Sequence, residues 1–154
     1  MIAVSWDEFG GLSQKLQRMA ESGSFDCIVA ISRGGLVVGR LLSDGLGLPL
    51  AVVSAKAYGA GETGTSGRVT VDRKVSFVGD LGRNVLLVDD IADSGATLVA
   101  VERFLNEAHR VSVKSAVIFK KKSCKCNVDY AAESGASDWI VMPYELREFR
   151  NLKD

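Results

Sequence analysis

Apolar positions in this chain follow two rhythms. Phe9, Leu12, Leu16 and Met19 recur at three- and four-residue steps, the period of a helix with one buried face, so a helix is predicted from about Trp6 to Ala20. Ser5 or Asp7 is placed to cap its start, and Glu21-Ser22-Gly23-Ser24 ends it. Cys27 to Ile31 is then apolar without a break, as in a strand covered on both faces. The turn Ser32-Arg33-Gly34-Gly35 leads into a helix over Leu36 to Leu46, with Leu36, Val37, Leu41 and Leu42 as its apolar side and Gly45, Gly47 and Pro49 as its breakers. Leu50–Val53 begins a strand whose pattern fails at Lys56 and Tyr58. Residues 59–67 hold glycines at 59, 61, 64 and 67 and no apolar anchor, which predicts a flexible loop. Val69, Val71, Val75, Phe77 and Val78 fit a hairpin arm beyond it. Val85 to Val88 is a second uninterrupted strand, closed by Asp89 and Asp90. After the turn Asp93-Ser94-Gly95-Ala96-Thr97, residues Leu98, Val99, Val101, Phe104 and Leu105 continue at helical spacing to about Ala108. Val111–Phe119 reads as a strand, Lys120-Lys121-Lys122 as the opening of a loop, Val128, Tyr130 and Ala132 as a short edge strand, and Trp139 to Met142 as another.

The order helix, strand, helix, strand, loop, strand, helix, strand predicts a doubly wound α/β fold with a mainly parallel sheet. With 154 residues, the chain is expected to form a single domain over 1–154. Apolar residues at 47% and charged residues at 25% are ordinary for a globular protein. Nineteen basic side chains balance nineteen acidic ones, so no general attraction to nucleic acid or to an anionic membrane is expected; any anion site has to be built locally. No apolar run approaches the ~20 residues of a membrane span, and the first residues lack the basic-then-apolar pattern of a secretory signal. Cys27, Cys124 and Cys126 form no disulfide framework, which points to reduced thiols and a cytoplasmic setting. Cys124-Lys125-Cys126 has two soft ligands, but neither a further cysteine nor a neighbouring histidine completes a set.

The chemistry concentrates after the strand at Val85–Val88. Ligands of open α/β sheets bind at the carboxyl ends of strands, and a helix start presents free N–H groups and a positive dipole end to a phosphate. Gly95 permits close approach of the backbone, and Ser94 and Thr97 add hydroxyl donors. Asp89 and Asp90 suit a different partner, sugar hydroxyls or a hydrated Mg²⁺. A phosphorylated sugar beside a metal ion is therefore the first ligand to consider.

The run Asp89-Asp90-Ile91-Ala92-Asp93-Ser94-Gly95-Ala96-Thr97 after an apolar strand resembles the phosphoribosyl-pyrophosphate signature of the type I phosphoribosyltransferases. Val4-Ser5-Trp6-Asp7, Ile31-Ser32-Arg33-Gly34-Gly35-Leu36-Val37 and Asp138-Trp139-Ile140 with Pro143 are similar to segments of the 6-oxopurine enzymes of that family. The resemblance implies transfer of the 5-phosphoribosyl group from phosphoribosyl pyrophosphate to guanine, xanthine or hypoxanthine, with Mg²⁺ as cofactor, in purine salvage. It implies that Asp89 and Asp90 hold the ribose hydroxyls, with Asp90 the favoured contact to the metal, and that residues 93–97 cradle the 5-phosphate. Ser32, Arg33, Gly34 and Gly35 would hold the pyrophosphate in a turn that often carries a non-proline cis peptide. Asp93 would act at the proton of purine N7. Lys121 would read the 6-oxo group, with Lys120 the competing register. Trp139 would stack on or flank the base, and the backbone of Ile140 would meet the group at purine C2. The resemblance also implies a hood over about 56–78, with Arg68 as its pyrophosphate arginine and Arg73 as competitor, a base-binding segment over about 119–145, and a homodimer or homotetramer.

Two departures stand out. Pro143-Tyr144-Glu145 replaces the family's Pro-Trp-Asp, and Lys120 to Cys126 has no clear counterpart. Rival readings keep the fold and change the base to adenine or a pyrimidine, or use the fold as a nucleotide sensor that regulates RNA. Lys121 argues against adenine, since an ammonium donates and cannot accept. The zero net charge weighs against RNA, although Lys120 to Lys125 could form a local basic patch.

Overall fold

The computed structural model describes residues 1–58 and 68–147; the glycine run 59–67 lies outside the described residues. In chain order the elements are β1 (Ile2–Ala3), α1 (Trp6–Ala20), β2 (Cys27–Ser32), α2 (Gly35–Leu46), β3 (Leu50–Tyr58), β4 (Arg68–Ser76), β5 (Asn84–Ala92), α3 (Ala96–His109), β6 (Ser112–Lys121), β7 (Tyr130–Ala136) and β8 (Ile140–Val141). Six strands form one sheet in the order β4-β3-β2-β5-β6-β7. Every neighbouring pair is parallel except the β3–β4 hairpin. The apolar runs at β2 and β5 lack alternation because helices cover both faces. Cys27, Val29, Ile31, Val85 and Leu87 face α3, whose Leu98, Val101, Phe104 and Leu105 are buried against them. Ile28, Leu86 and Val88 face the other way, onto Phe9 and Leu16 of α1 and Val38 and Leu42 of α2. A strand's period of two thus feeds two separate cores.

The helices form where the pattern places them, with differences in the faces they bury. Ser5 caps α1: its hydroxyl accepts from the Glu8 N–H at 3.2 Å, and Glu8 accepts from the Ser5 N–H at 2.8 Å, a reciprocal capping box. On α2, Leu42 is buried as its spacing suggests, but Leu36 and Leu41 are more than a third exposed, and Gly35, Val38 and Gly39 are buried in their place. The reason is steric. A Cβ at Gly39 would lie 2.7 Å from that of Ala30, so the helix seats its smallest residues on β2 and turns two leucines outward. Met19 and Val99 are also more exposed than their spacing suggests.

Strand ends run longer than predicted. β3 continues through Lys56 to Tyr58 because β4 pairs with it residue by residue, Tyr58 against Arg68. β6 continues through Lys121 because β7 supplies a partner, so Lys120 and Lys121 are strand residues and not the start of a loop. β8 leaves the main sheet and pairs with β1, a strand the apolar pattern did not single out. Among the described residues no helix is long and apolar enough to cross a membrane.

Strand order reverses between β2 and β5. From β2 the chain moves outward through β3 and β4, then returns to the other side of β2 and moves outward through β6 and β7. Such a switch point opens a crevice at the carboxyl ends of the two central strands. The turns that follow β2 and β5 are residues 33–34 and 93–95, two of the segments marked for chemistry.

Candidate functional site

The two turns meet directly. A Cβ at Gly35 would fall 2.4 Å from the Val88 carbonyl oxygen, and one at Gly34 would fall 2.4 Å from Oδ1 of Asp90. These glycines are small because β5 passes beneath them. The Ser32–Arg33 peptide is cis, as the resemblance implied. Ser32 Oγ lies 3.0 Å from Ser54 Oγ on β3, and Arg33 is exposed at the mouth of the crevice.

Asp89 and Asp90 sit at the end of β5, both partly buried. Asp90 follows the even positions of the strand, on the side of Val88 and α1. Its Oδ1 accepts from the Ile91 N–H at 2.7 Å and its Oδ2 from the Tyr144 hydroxyl at 2.8 Å. Asp89 Oδ1 accepts from the Asp90 N–H at 2.9 Å. Desolvation, and next the charge of Asp90, push the Asp89 carboxyl well above its ordinary range. A desolvated carboxyl beside a second carboxylate forms a site that favours a cation. Among the described residues, no three His, Cys, Asp or Glu side chains converge on one point. A metal here would be held by one or two carboxylates and otherwise by ligand oxygens and water, as Mg²⁺ commonly is.

The turn after β5 is built for close approach. Gly95 adopts φ +85°, in the left-handed region, and immediately precedes α3. Ser94 Oγ accepts from the Ala96 N–H at 3.2 Å, and Thr97 lies in the first turn of the helix. Residues 123–126 cover the turn from behind. A Cβ at Gly95 would lie 2.4 Å from Cys126 Sγ and 3.0 Å from Cys124 Sγ, and the Lys125 N–H reaches the Ser94 carbonyl at 3.4 Å. The two thiols are 3.4 Å apart, share a hydrogen bond and form no disulfide. Burial, followed by the neighbouring Cys124, pushes Cys126 up to about 11, so it stays a thiol at neutral pH. The unmatched cysteine segment is thus packing for the glycine turn.

Asp93, Lys121 and Trp139, from three separate elements, come together. Lys121 Nζ lies 3.1 Å from Asp93 Oδ2 and 5.6 Å from the centroid of the Trp139 ring. The lysine side chain is 10% exposed and the aspartate 60%, so the pair has a sheltered cation and an open carboxylate. Ser123 Oγ donates to Asp93 Oδ1 at 2.6 Å. That hydrogen bond is the largest influence holding the Asp93 carboxyl below its ordinary value; desolvation opposes it, and Lys121 adds to it. Lys121, and not Lys120, therefore faces Asp93; the charge of Lys120 acts instead on the Cys126 thiol. Trp139 is 59% exposed beside the buried Ile140. The carbonyls of Trp139 and Val141 accept from the N–H groups of Ile2 and Val4, so strand alternation turns the Ile140 carbonyl to the opposite edge.

Among the described residues, neither Arg68 nor Arg73, the arginines expected at pyrophosphate, is ion-paired with the acids of the crevice. Arg68 is exposed at the first position of β4, a strand separated from β5 by β3 and β2. Its partner Tyr58 is four residues past Ser54, the register partner of Ser32, or ~13 Å beyond it at ~3.3 Å per residue. Arg73 lies over the Phe104 ring, 5.6 Å from its centroid, and faces α3. The middle of the expected hood, 59–67, falls outside the described residues.

Two residues at the site escaped the sequence reading, Tyr144 and Ser123. Tyr144 had a signal: it stands in Pro143-Tyr144-Glu145, where the resemblance places Pro-Trp-Asp, and a half-buried phenol needs a hydrogen-bond partner. Ser123 had none, because a serine two residues past Lys121 marks nothing until the chain folds back on Asp93.

The chain matches the phosphoribosyl transferase domain family over residues 5–148. It is 34% identical over 146 residues to the xanthine-guanine phosphoribosyltransferase of Gluconobacter oxydans, covering 92% of this chain and 83% of that protein. It is 30% identical over 150 residues to the protein of the same name from Cereibacter sphaeroides, covering 93% and 86%. Its fold superposes on the solved xanthine-guanine-hypoxanthine phosphoribosyltransferase of Helicobacter pylori with a TM-score of 0.81 and 28% identity, over 99% of this chain and 97% of that one.

Proposed function

The chain belongs to the phosphoribosyl transferase domain family, and from that premise we propose that it transfers the phosphoribosyl group of phosphoribosyl pyrophosphate to a 6-oxopurine. The products are a purine nucleoside monophosphate and pyrophosphate, and the reaction serves purine salvage. The observation that carries the reading is the Asp93–Lys121–Trp139 cluster, which stands beside the glycine turn at the strand-order switch. The exposed Trp139 ring is placed to stack on or flank a base. The Lys121 ammonium donates to a 6-oxo group and has no lone pair for a 6-amino group. Asp93, held as a carboxylate, takes the proton at purine N7 as N9 becomes the nucleophile.

Departure of pyrophosphate leaves an oxocarbenium-like sugar, so negative charge belongs near the ribose and positive charge near the leaving group. Asp89 and Asp90 supply the first, and their hydroxyl-accepting oxygens orient the ring. Arg33 and the N–H groups of Gly34 and Gly35 supply the second. The N–H groups of residues 94–97 bind the 5-phosphate at the start of α3. The mutually repelling pair Asp89 and Asp90 fits Mg²⁺ shared with ligand oxygens, and the ion would offset charge on the leaving pyrophosphate.

The test is turnover of guanine, hypoxanthine, xanthine and adenine with phosphoribosyl pyrophosphate and Mg²⁺, followed by release of pyrophosphate. Activity with one or more 6-oxopurines and little with adenine is expected. Preference for adenine would overturn the assignment of Lys121. No release with any base would favour the nucleotide-sensor reading.

A further inference from the structure

We infer that Tyr144 is a positioning residue for substrate binding: its hydroxyl holds the Asp90 carboxylate against the Arg33–Gly35 turn, so that ribose and pyrophosphate contacts are presented in one fixed arrangement. The inference rests on the phosphoribosyl transfer proposed above. Tyr144 follows β8 and lies far in sequence from both segments it joins. Its hydroxyl donates to Asp90 Oδ2 at 2.8 Å and lies 3.4 Å from the Gly34 carbonyl oxygen. Its ring packs edge-on against Phe9, with centroids 5.5 Å apart, and lies 6.3 Å from that of Trp6. The ring is therefore fixed by α1, and the hydroxyl is aimed by the ring.

Asp90 needs such a donor. Its carboxylate occupies the space a side chain at position 34 would fill, and it sits next to Asp89, another carboxylate. Repulsion between the two favours swinging Asp90 outward. The Ile91 N–H restrains one oxygen, and the Tyr144 hydroxyl restrains the other. A phenylalanine would fill the same aromatic pocket without supplying the donor, so packing alone does not account for a tyrosine here. The segment carrying Tyr144 also carries Trp139 and Ile140, which ties the sugar side of the crevice to its base side.

The experiment compares wild type with Tyr144→Phe and Tyr144→Trp. Steady-state kinetics would vary phosphoribosyl pyrophosphate and purine separately, and calorimetry would measure binding of phosphoribosyl pyrophosphate with Mg²⁺. Tyr144→Phe is expected to raise KM and Kd for phosphoribosyl pyrophosphate about tenfold, the scale of one lost hydrogen bond to a charged group. KM for the purine should stay within about twofold, and the melting temperature should fall by a few degrees, since the lost bond also exists in the unliganded chain. Tyr144→Trp, whose indole N–H can donate, is expected to recover part of the loss. An unchanged Kd in Tyr144→Phe, or equal losses for both substrates, would overturn the positioning role. A wild-type protein that binds no phosphoribosyl pyrophosphate would overturn the underlying function instead. If Tyr144→Phe does not fold, Tyr144→Trp decides: a selective rise in Kd for phosphoribosyl pyrophosphate, smaller than about tenfold, supports the role, and an unchanged Kd makes the residue structural.

Discussion

Replacing Gly95 by alanine sets two penalties on one methyl group. The first is conformational. At φ +85° an L-residue brings its Cβ too near the backbone, which costs about 1–2 kcal/mol. The second is steric. The new Cβ would lie 2.4 Å from Cys126 Sγ, and rotating that thiol away does not clear the clash, since Cys126 Cβ is itself only 3.1 Å distant. Forcing a methyl group into packed surroundings costs about 1–3 kcal/mol. The sum is about 2–5 kcal/mol, or a melting temperature lower by roughly 5–15 °C for a domain of this size. Urea unfolding followed by circular dichroism measures it. A double-mutant cycle with Cys126→Ala removes the nearer sulfur and isolates its share of the clash. A coupling of about 1 kcal/mol or more should appear, with the conformational part and the contacts to Cys126 Cβ and Cys124 Sγ left in the double variant. A loss below about 1 kcal/mol for Gly95→Ala, or a cycle with no coupling, would refute the account of the cysteine segment as packing for this turn. The same variant should also raise KM for phosphoribosyl pyrophosphate, because the backbone of the turn proposed to hold the 5-phosphate has to shift.

Asp93→Asn should cut turnover by about 10²-fold or more, the scale of general-base loss, while calorimetric affinity for phosphoribosyl pyrophosphate holds. Lys121→Ala should weaken purine binding, read as KM for the base, while Lys120→Ala leaves it near wild type. Asp89→Asn should stabilise the ligand-free protein at neutral pH by about 1 kcal/mol in urea unfolding and abolish most activity. The sign follows because a carboxyl raised on folding favours the native state at low pH, and that contribution is lost as pH rises through its folded value. Asp93 has the opposite sign. Its carboxyl is lowered on folding, mainly by Ser123, so its contribution is present above the unfolded value and lost as pH falls through the folded one. Ser123→Ala should therefore be less stable than wild type at neutral pH and converge with it in strong acid, and the acid limb of kcat/KM should move upward; an unmoved limb would remove Ser123 from the control of Asp93.

Much of the fold could be read from the chain. Uninterrupted apolar runs at 27–31 and 85–88 mark strands covered on both faces, and helical spacing marks the helices between them. The paired acids and glycine turn at 89–97 mark the site, because that chemistry is local: a strand end, a left-handed glycine and a helix start are contiguous in sequence. The helix faces were less legible. On α2, apolar residues lie all round, and the choice between Leu41 and Val38 was made by Gly39 fitting against Ala30. Strand ends at Tyr58 and Lys121 were set by partners, since a polar residue extends a strand when a neighbour accepts its backbone hydrogen bonds.

Short windows of the chain settle the alternation of elements, the position of the glycine turn and the identity of the acids beside it. Tertiary structure alone decided that Lys121 and not Lys120 meets Asp93, that Ser123 returns to the same carboxylate, and that Tyr144 reaches Asp90 across the molecule. Those contacts span 28, 30 and 54 positions of chain. They depend on sheet register and on the pairing of β8 with β1, which no local pattern encodes.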